Sequence, residues 1–364
     1  MKIVDWSLHF YALPYEREIV WANAVEKAGT FALLQVRADN GAAGIAEGTI
    51  KPTWSGVSVR SLQAALEDFI MPRLMSVDIG EADAVRLALA GIPENRLAKG
   101  MADTACWGIR AMAADVPLWK HLGGKPQVEL TWAITRQLPV VMAREAGEMC
   151  ARYGFRTLKV KGGQGAEVDI AALREIRAAV GPEVRLYVDA NSAYPATEAL
   201  SYVRALARAG AVVAEDPCPM MADHGFESLQ AEGGLPLLVD RNCTSAEDAR
   251  RFLEHGAQAL STKPGRIGIS EARQITSLCG RRGAKVAVGL YGESELGTLL
   301  SLQQAAAVPD ELRLVAAEQT FYLTMTDQVI TRHLPLSQGC VTLPETADLS
   351  ALVDWDKVRR YAVA

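Results

Sequence analysis

The chain has 364 residues, 49% of them hydrophobic and 22% charged, with a formal net charge of −5. That composition belongs to a globular protein long enough to bury a large core without disulfide or metal staples. The acidic balance argues against nucleic-acid binding, which needs a basic surface, and no apolar run reaches the ~18 residues that span a bilayer.

In chain order, residues 2–10 and 31–38 read as strands. Asp39-Asn40-Gly41 then supplies a hairpin turn, because Asn and Gly tolerate positive φ, and residues 43–47 return. Residues 14–26 read as a polar-aromatic loop holding Tyr15 and Trp21. From 58 to 122 the pattern turns helical, with Leu62, Ala65, Leu66 and Phe69 on one face and Leu97, Met101, Ala105 and Ile109 on another. Leu122-Gly123-Gly124-Lys125-Pro126 is a breaker cluster and marks an expected domain boundary, giving 1–125 and 126–330 as two domains.

After Pro126 short apolar strands alternate with amphipathic helices. The strands are predicted at 129–133, 157–161, 185–189, 212–215, 237–240, 259–263, 285–289 and 314–318. Helices are predicted at 166–180, 196–209 and 245–255, the last opening on Ser245 and Asp248 as a capping box with Asp in place of Glu. Eight strands with seven intervening helices predict a parallel (β/α) barrel. An open doubly wound sheet gives the same alternation; the strand count favours the barrel. The six cysteines, at 106, 150, 218, 243, 279 and 340, form no CxxC pair and read as reduced thiols of a cytoplasmic protein without a secretory signal.

Five consecutive predicted strands end on an ionisable residue: Lys161, Asp189, Glu215, Asp240 and Lys263. In a barrel these ends converge on one mouth, where catalytic groups sit. Three carboxylates meeting without a cation repel one another, and a hard divalent ion with oxygen ligands resolves the conflict. Mg2+ is the expected occupant, with Mn2+ as the alternative. Such an ion holds a substrate carboxylate between the two lysines, and the inferred chemistry is proton transfer α to that carboxylate. Lys159, two residues before Lys161, is expected to depress the pKa of Lys161 by like-charge repulsion. Taken singly, a Lys-x-Lys is a solvated strand edge, and a strand-terminal Asp caps the next helix. Five in a row, at steps of 28, 26, 25 and 23 residues, exceed what that reading explains.

These motifs resemble the enolase superfamily, and within it the muconate-lactonizing-enzyme subgroup. The resemblance lies in Lys159-Val160-Lys161, Asp189-Ala190-Asn191, Glu215-Asp216-Pro217, Asp240 and Lys263-Pro264-Gly265-Arg266-Ile267-Gly268. It extends to Gly289 through Thr298, where Glu293 matches a glutamate of the subgroup, and to Ala98 through Ala105 near the breaker cluster. The resemblance implies an α+β capping domain over a modified (β/α)7β barrel, with residues 331–364 returning to the cap. It implies Asp189, Glu215 and Asp240 as Mg2+ ligands and Lys161 and Lys263 as acid/base groups. Lys159 and Asn191 would support them, Glu293 is a further candidate, and Tyr15, Trp21, Trp54 and Phe321 would set specificity.

Departures from the subgroup pattern are Arg241 after Asp240, Gly268-Ile269 in place of a glycine pair, Gly108, and the lack of a histidine between 286 and 295. The last argues against a His-Asp base. The expected activity is that of an isomerase working through an enolate on a small carboxylate substrate, muconate cycloisomerase-like. The alternative is 1,1-proton transfer or dehydration of the N-acylamino acid racemase and o-succinylbenzoate synthase kind; a non-catalytic barrel is the remote one. A homo-oligomer is expected from the resemblance.

Overall fold

A computed structural model describes residues 1–21 and 24–363. Ala22 and Asn23, inside the predicted 14–26 loop, and Ala364, at the end of the predicted C-terminal return, lie outside the described residues. The chain opens with an antiparallel sheet of β1 (Ile3–Val20), β2 (Val25–Ala38) and β3 (Ala43–Ile50) in that order. The Asn40-Gly41 turn joins β2 to β3, with Gly41 at φ +84°. The predicted loop at 14–26 is instead the far half of a long hairpin. Tyr11, Leu13 and Tyr15 are buried in alternation, a register shift follows between Pro14 and Ile19, and Ile19 turns back inward. The polar residues that suggested a loop, Glu16, Arg17 and Glu18, are exposed along that shift.

The sheet is a middle layer with a core on each face. Phe31, Leu33 and Ile45 belong to the large core that runs on into the barrel, whereas Ala32, Leu34, Val36 and Ala46 pack with the helices of the first 113 residues. Two buried faces explain why this stretch reads as continuously apolar instead of alternating. The helix Arg96–Ala113 buries Leu97, Met101, Ala105 and Ile109 as expected. The predicted face at 62–69 holds for Leu62, Ala65 and Leu66, but Phe69 is exposed. Residues Ala65–Ile70 form a π-helix, whose wider turn moves Phe69 outward and brings Ile70 in.

The second half of the chain is a curled parallel sheet in the order β5 (Trp132–Ile134), β6 (Thr157–Lys161), β7 (Arg185–Asp189), β8 (Ala214–Glu215), β9 (Leu237–Val239), β10 (Ala259–Thr262) and β11 (Lys285–Val288). Helices lie between successive strands, and the predicted ones at 166–180, 196–209 and 245–255 appear as Ala166–Val180, Ala196–Arg208 and Ala246–Glu254. Ser245 accepts from Asp248 N, but Asp248 caps Thr244 instead of Ser245, so the box is only half formed. The predicted strand at 129–133 divides. Its start joins β4 (Gln127–Glu129), which pairs with β13 (Cys340–Thr342), itself paired with β12 (Leu336–Ser337); its end becomes β5. Tyr187, Val213, Leu238, Ala287 and Val315 fill the barrel interior.

The eighth segment, 314–318, forms no ladder but bridges both neighbours. Leu314 N donates to Val286 O and Glu318 N to Val288 O on one side, while Thr131 N donates to Ala317 O on the other. Side chains tie it further. Glu318 accepts from Lys159 Nζ at 3.0 and 2.9 Å, Tyr187 Oη at 2.6 Å and Leu290 N at 3.2 Å. The chain end meets β1, with Val363 N donating to Phe10 O. Among the described residues no helix is long and apolar enough to cross a membrane.

The layer and the barrel meet through small residues and buried carboxyls. A Cβ at Gly268, φ +83°, would stand 2.8 Å from Gly100 Cα, so the helix Arg96–Ala113 approaches the barrel where glycine faces glycine. Asp103 accepts from Ser270 N and Oγ at 2.7 and 2.5 Å. Glu47 on β3 accepts from Tyr11 Oη, Ser294 Oγ and Ser294 N.

Replacing Glu318 with Ala leaves the buried Tyr187 hydroxyl without its acceptor and removes one of the three carboxylates that Lys159 meets, and should cost about 1–3 kcal/mol of stability. Urea denaturation reads this directly; an unchanged midpoint would mean barrel closure does not depend on Glu318. Burial pushes the Glu47 carboxyl up to about 7, against the pull of its three donors. The folded state therefore holds a proton that the unfolded chain releases, and stability should fall as pH rises from about 4.5 to 7, by up to about 1.4 kcal/mol per unit. Glu47→Gln should flatten that slope, and a slope that survives the substitution would assign it to another group.

Candidate active site

The parallel register sets the site. Lys161 on β6 pairs with Asp189 on β7, and Asp189 with Glu215 on β8, so the strand ends finish level. Asp240 follows β9 and Lys263 follows β10 directly. Lys161 and Lys263 come from strands four places apart in the curled sheet and therefore stand on opposite sides of the mouth. Both line one cavity with Trp21, Glu26, Lys51, Thr53, Trp54, Asn191, Leu290 and Tyr291.

The three carboxylates are buried and each meets a lysine. Lys161 Nζ donates to Asp189 Oδ2 at 2.6 Å, and Lys263 Nζ donates to Asp240 Oδ2. Lys159 Nζ lies 2.8 Å from Glu215, 3.0 Å from Asp189 and 2.9 Å from Glu318. Asn191, in the left-handed region at φ +50°, donates from its backbone N to Asp189 Oδ1 and from Nδ2 to Oδ2. Its own Oδ1 accepts from Arg136 at 3.1 Å.

The electrostatics follow from burial and neighbours. Burial opposes the ionised Asp189, but Lys159 and Lys161 outweigh it and hold the carboxyl far below its usual range. Burial and the charge of Asp189 push Glu215 well up. Asp240 is held down to about 2, as Lys263 and Arg266 overcome its burial. Lys161 is depressed chiefly by burial; Lys159 adds to this and Asp189 opposes it. The expected like-charge repulsion from Lys159 is present but secondary to burial. Lys159 is itself raised, because Asp189, Glu215 and Glu318 outweigh its burial.

A divalent cation fits this donor set. Glu215 Oε2 and Asp240 Oδ1 are buried without a hydrogen-bond partner. Two orphaned carboxylate oxygens at adjacent strand ends are an unmet demand for positive charge. Among the described residues no three acidic, His or Cys side chains are already drawn into a cage; each carboxylate is turned toward an ammonium group instead.

Other expected residues fall at different distances from the cavity. Trp21 and Trp54 line it. Tyr15 and Phe321 stand behind it, with Phe321 packed on Trp21 at 5.1 Å between ring centroids and Tyr15 on Phe321 at 5.6 Å. Glu293 also lies behind the wall, accepting from Tyr291 N at 2.7 Å and Ser301 Oγ at 3.4 Å. Sequence reasoning passed over Glu26 and Lys51, which belong to no motif, and gave no role to Leu290 and Tyr291, which lie inside the Gly289–Thr298 segment. It gave Asp216 no role of its own. Asp216, at φ +39°, accepts from Asp240 N and Arg241 N and so fixes the end of β9.

Comparison with known proteins bears on the family and the fold. Residues 13–123 match the mandelate racemase/muconate lactonizing enzyme N-terminal domain, and residues 141–357 the enolase C-terminal domain-like family. The o-succinylbenzoate synthase of Geobacillus stearothermophilus is 30% identical, over 85% of this chain and 82% of its own. The N-succinylamino acid racemase of Thermus thermophilus is 29% identical, over 84% and 83%. A solved muconate lactonizing enzyme of Mycobacterium smegmatis, complexed with muconolactone, superposes with a TM-score of 0.94 at 26% identity and covers both chains fully. The chain thus belongs to the mandelate racemase/muconate lactonizing enzyme group of the enolase superfamily and is an enzyme of that type.

Proposed function

We propose that this chain is a divalent-metal-dependent isomerase that moves the proton α to a substrate carboxylate, with muconate cycloisomerase-like chemistry. The observation that carries the reading is the pair Lys161 and Lys263, facing one cavity from opposite sides of the barrel mouth. Asp189, Glu215 and Asp240 would hold Mg2+, with Mn2+ as the alternative. When bound, such an ion stabilises negative charge on the substrate carboxylate oxygens. The division into a cap of residues 1–125, joined by 331–364, and a barrel of 126–330 is supported by family matches that end at 123 and resume at 141.

The remaining roles fall to the chain's own side chains. A base must be neutral before it accepts a proton, and burial favours the neutral form of Lys161 Nζ. Lys263 sits across the cavity, nearly buried, and as an ammonium group it stabilises the enolate from the other face. Lys159 bonds only to carboxylates and is 1% exposed, so it fixes charge and does not meet substrate. Asn191 holds Asp189 in place through two hydrogen bonds. Trp21 and Trp54 exclude water from above.

A second reading, 1,1-proton transfer by two bases, is favoured by one observation: both lysines stand in the same relation to a carboxylate, Lys161 to Asp189 and Lys263 to Asp240. A relative named N-succinylamino acid racemase supports it, while one named o-succinylbenzoate synthase supports the dehydration alternative.

Proton exchange separates the two. Muconates, muconolactone and N-succinylamino acids of each hand are incubated with enzyme and Mg2+ in D2O, and α-deuterium is followed by NMR. In the cycloisomerase reading, Lys161→Ala abolishes exchange and Lys263→Ala slows it by about 10²–10³ without a stereochemical split. In the two-base reading each substitution abolishes exchange from one enantiomer only. Full exchange retained by both variants would remove the lysines from the chemistry altogether.

A further inference from the structure

The outer wall of the cavity carries a charged pair that the proton transfer does not use. Lys51 directly follows β3, and its Nζ donates to Glu26 Oε2 at 2.5 Å. The same nitrogen lies 4.1 Å from the centroid of the Trp21 ring, and Trp21 Nε1 donates to the same Glu26 oxygen at 2.7 Å. The two charges are unequally placed: the Lys51 side chain is 8% exposed and that of Glu26 22%. A second cation stands at the rim, where the Arg241 guanidinium lies 4.7 Å from the Trp54 ring. Each cavity-lining indole thus backs one cation.

We propose that Lys51 is a specificity-determining residue that receives a distal anionic group of the substrate, with Glu26 as the resting counter-ion it gives up. This rests on the reading that one carboxylate of the substrate lies between Lys161 and Lys263. The argument is one of unequal cost. Lys51 is enclosed by Trp21 and Glu26, and its stem runs along the Gly292 backbone, where a Cβ would come within 3.4 Å of Lys51 Cε. Its side chain is nearly buried, and leaving it unpaired is expensive. Glu26 already touches water and can rehydrate when displaced. An incoming carboxylate therefore replaces one ion pair by another at small cost, and Arg241 adds favourable potential at the rim. A ligand that ends in an apolar group gains nothing from this exchange and must leave Glu26 where it is. The structure thereby favours a substrate with two acidic groups over one with a single carboxylate.

The test uses two probes of equal chain length, adipate with two carboxylates and hexanoate with one. Binding to the Mg2+-loaded full chain is measured by calorimetry. The wild type should bind adipate at least about tenfold more tightly. Lys51→Met should erase that preference while hexanoate affinity stays within about twofold. Glu26→Gln, which removes the competing charge and keeps the Trp21 hydrogen bond, should increase the preference several-fold. Circular dichroism shows whether Lys51→Met is folded, and Glu26→Gln tests the same exchange without emptying the lysine site. Equal affinities for the two probes in the wild type, or a preference that neither substitution moves, would overturn the role of Lys51 alone. If neither probe binds, the placement of a carboxylate between Lys161 and Lys263 fails with it.

Discussion

Four carboxylates, Asp189, Glu215, Asp240 and Glu318, are buried together at one end of the barrel, none more than 1% exposed. Four negative charges cannot share that volume without compensation. Lys159 answers three of them at once, and Lys161 and Lys263 answer one each from opposite sides. The compensation is incomplete, since Glu215 Oε2 and Asp240 Oδ1 keep no hydrogen-bond partner, the latter having only Arg266 at 3.9 Å. Much of the site's arrangement follows from this residual demand. In the function proposed above a hard cation would meet it, and an ion at that point would free the flanking lysines to face a substrate.

The same requirement reaches into the fold. The eighth barrel segment pairs too briefly to count as a strand, and Glu318 at its end is held by Lys159 and Tyr187 from the far side of the interior. One lysine therefore helps to close the barrel and to set the charge of the mouth. Asp216 acts in a comparable way. Its carboxylate accepts from the backbone N–H groups of Asp240 and Arg241, and so aims Asp240 at the centre. A buried polar network of this kind is stabilising only when every member is satisfied, which is why its two open oxygens carry information.

The barrel and its charged strand ends were legible in the sequence because each depends on a repeat: a strand, a helix and an ionisable residue every 23 to 28 positions. The wall that faces them was not. Glu26 lies on β2, Lys51 follows β3, and Leu290 and Tyr291 follow β11; nothing in their spacing announces that they share a cavity. The hairpin of β1 and β2 was misread beyond Leu13 because its outer half leaves the apolar layer and takes on polar residues, so the period-2 signal fades while the pairing continues. Phe69 was misplaced by a local change of helical period that apolar spacing cannot reveal. Where pattern and structure disagree, the cause is a contact between segments distant in sequence or a departure from ideal geometry.

The charge deficit at the mouth can be measured without knowing the substrate. Calorimetric titration of the metal-free chain with Mg2+ should give one ion per chain, and Glu215→Gln, which keeps the side chain's shape and removes its charge, should weaken that binding at least about tenfold. Absence of binding in the wild type, or an affinity untouched by the substitution, would contradict the view that the buried carboxylates are assembled for a cation.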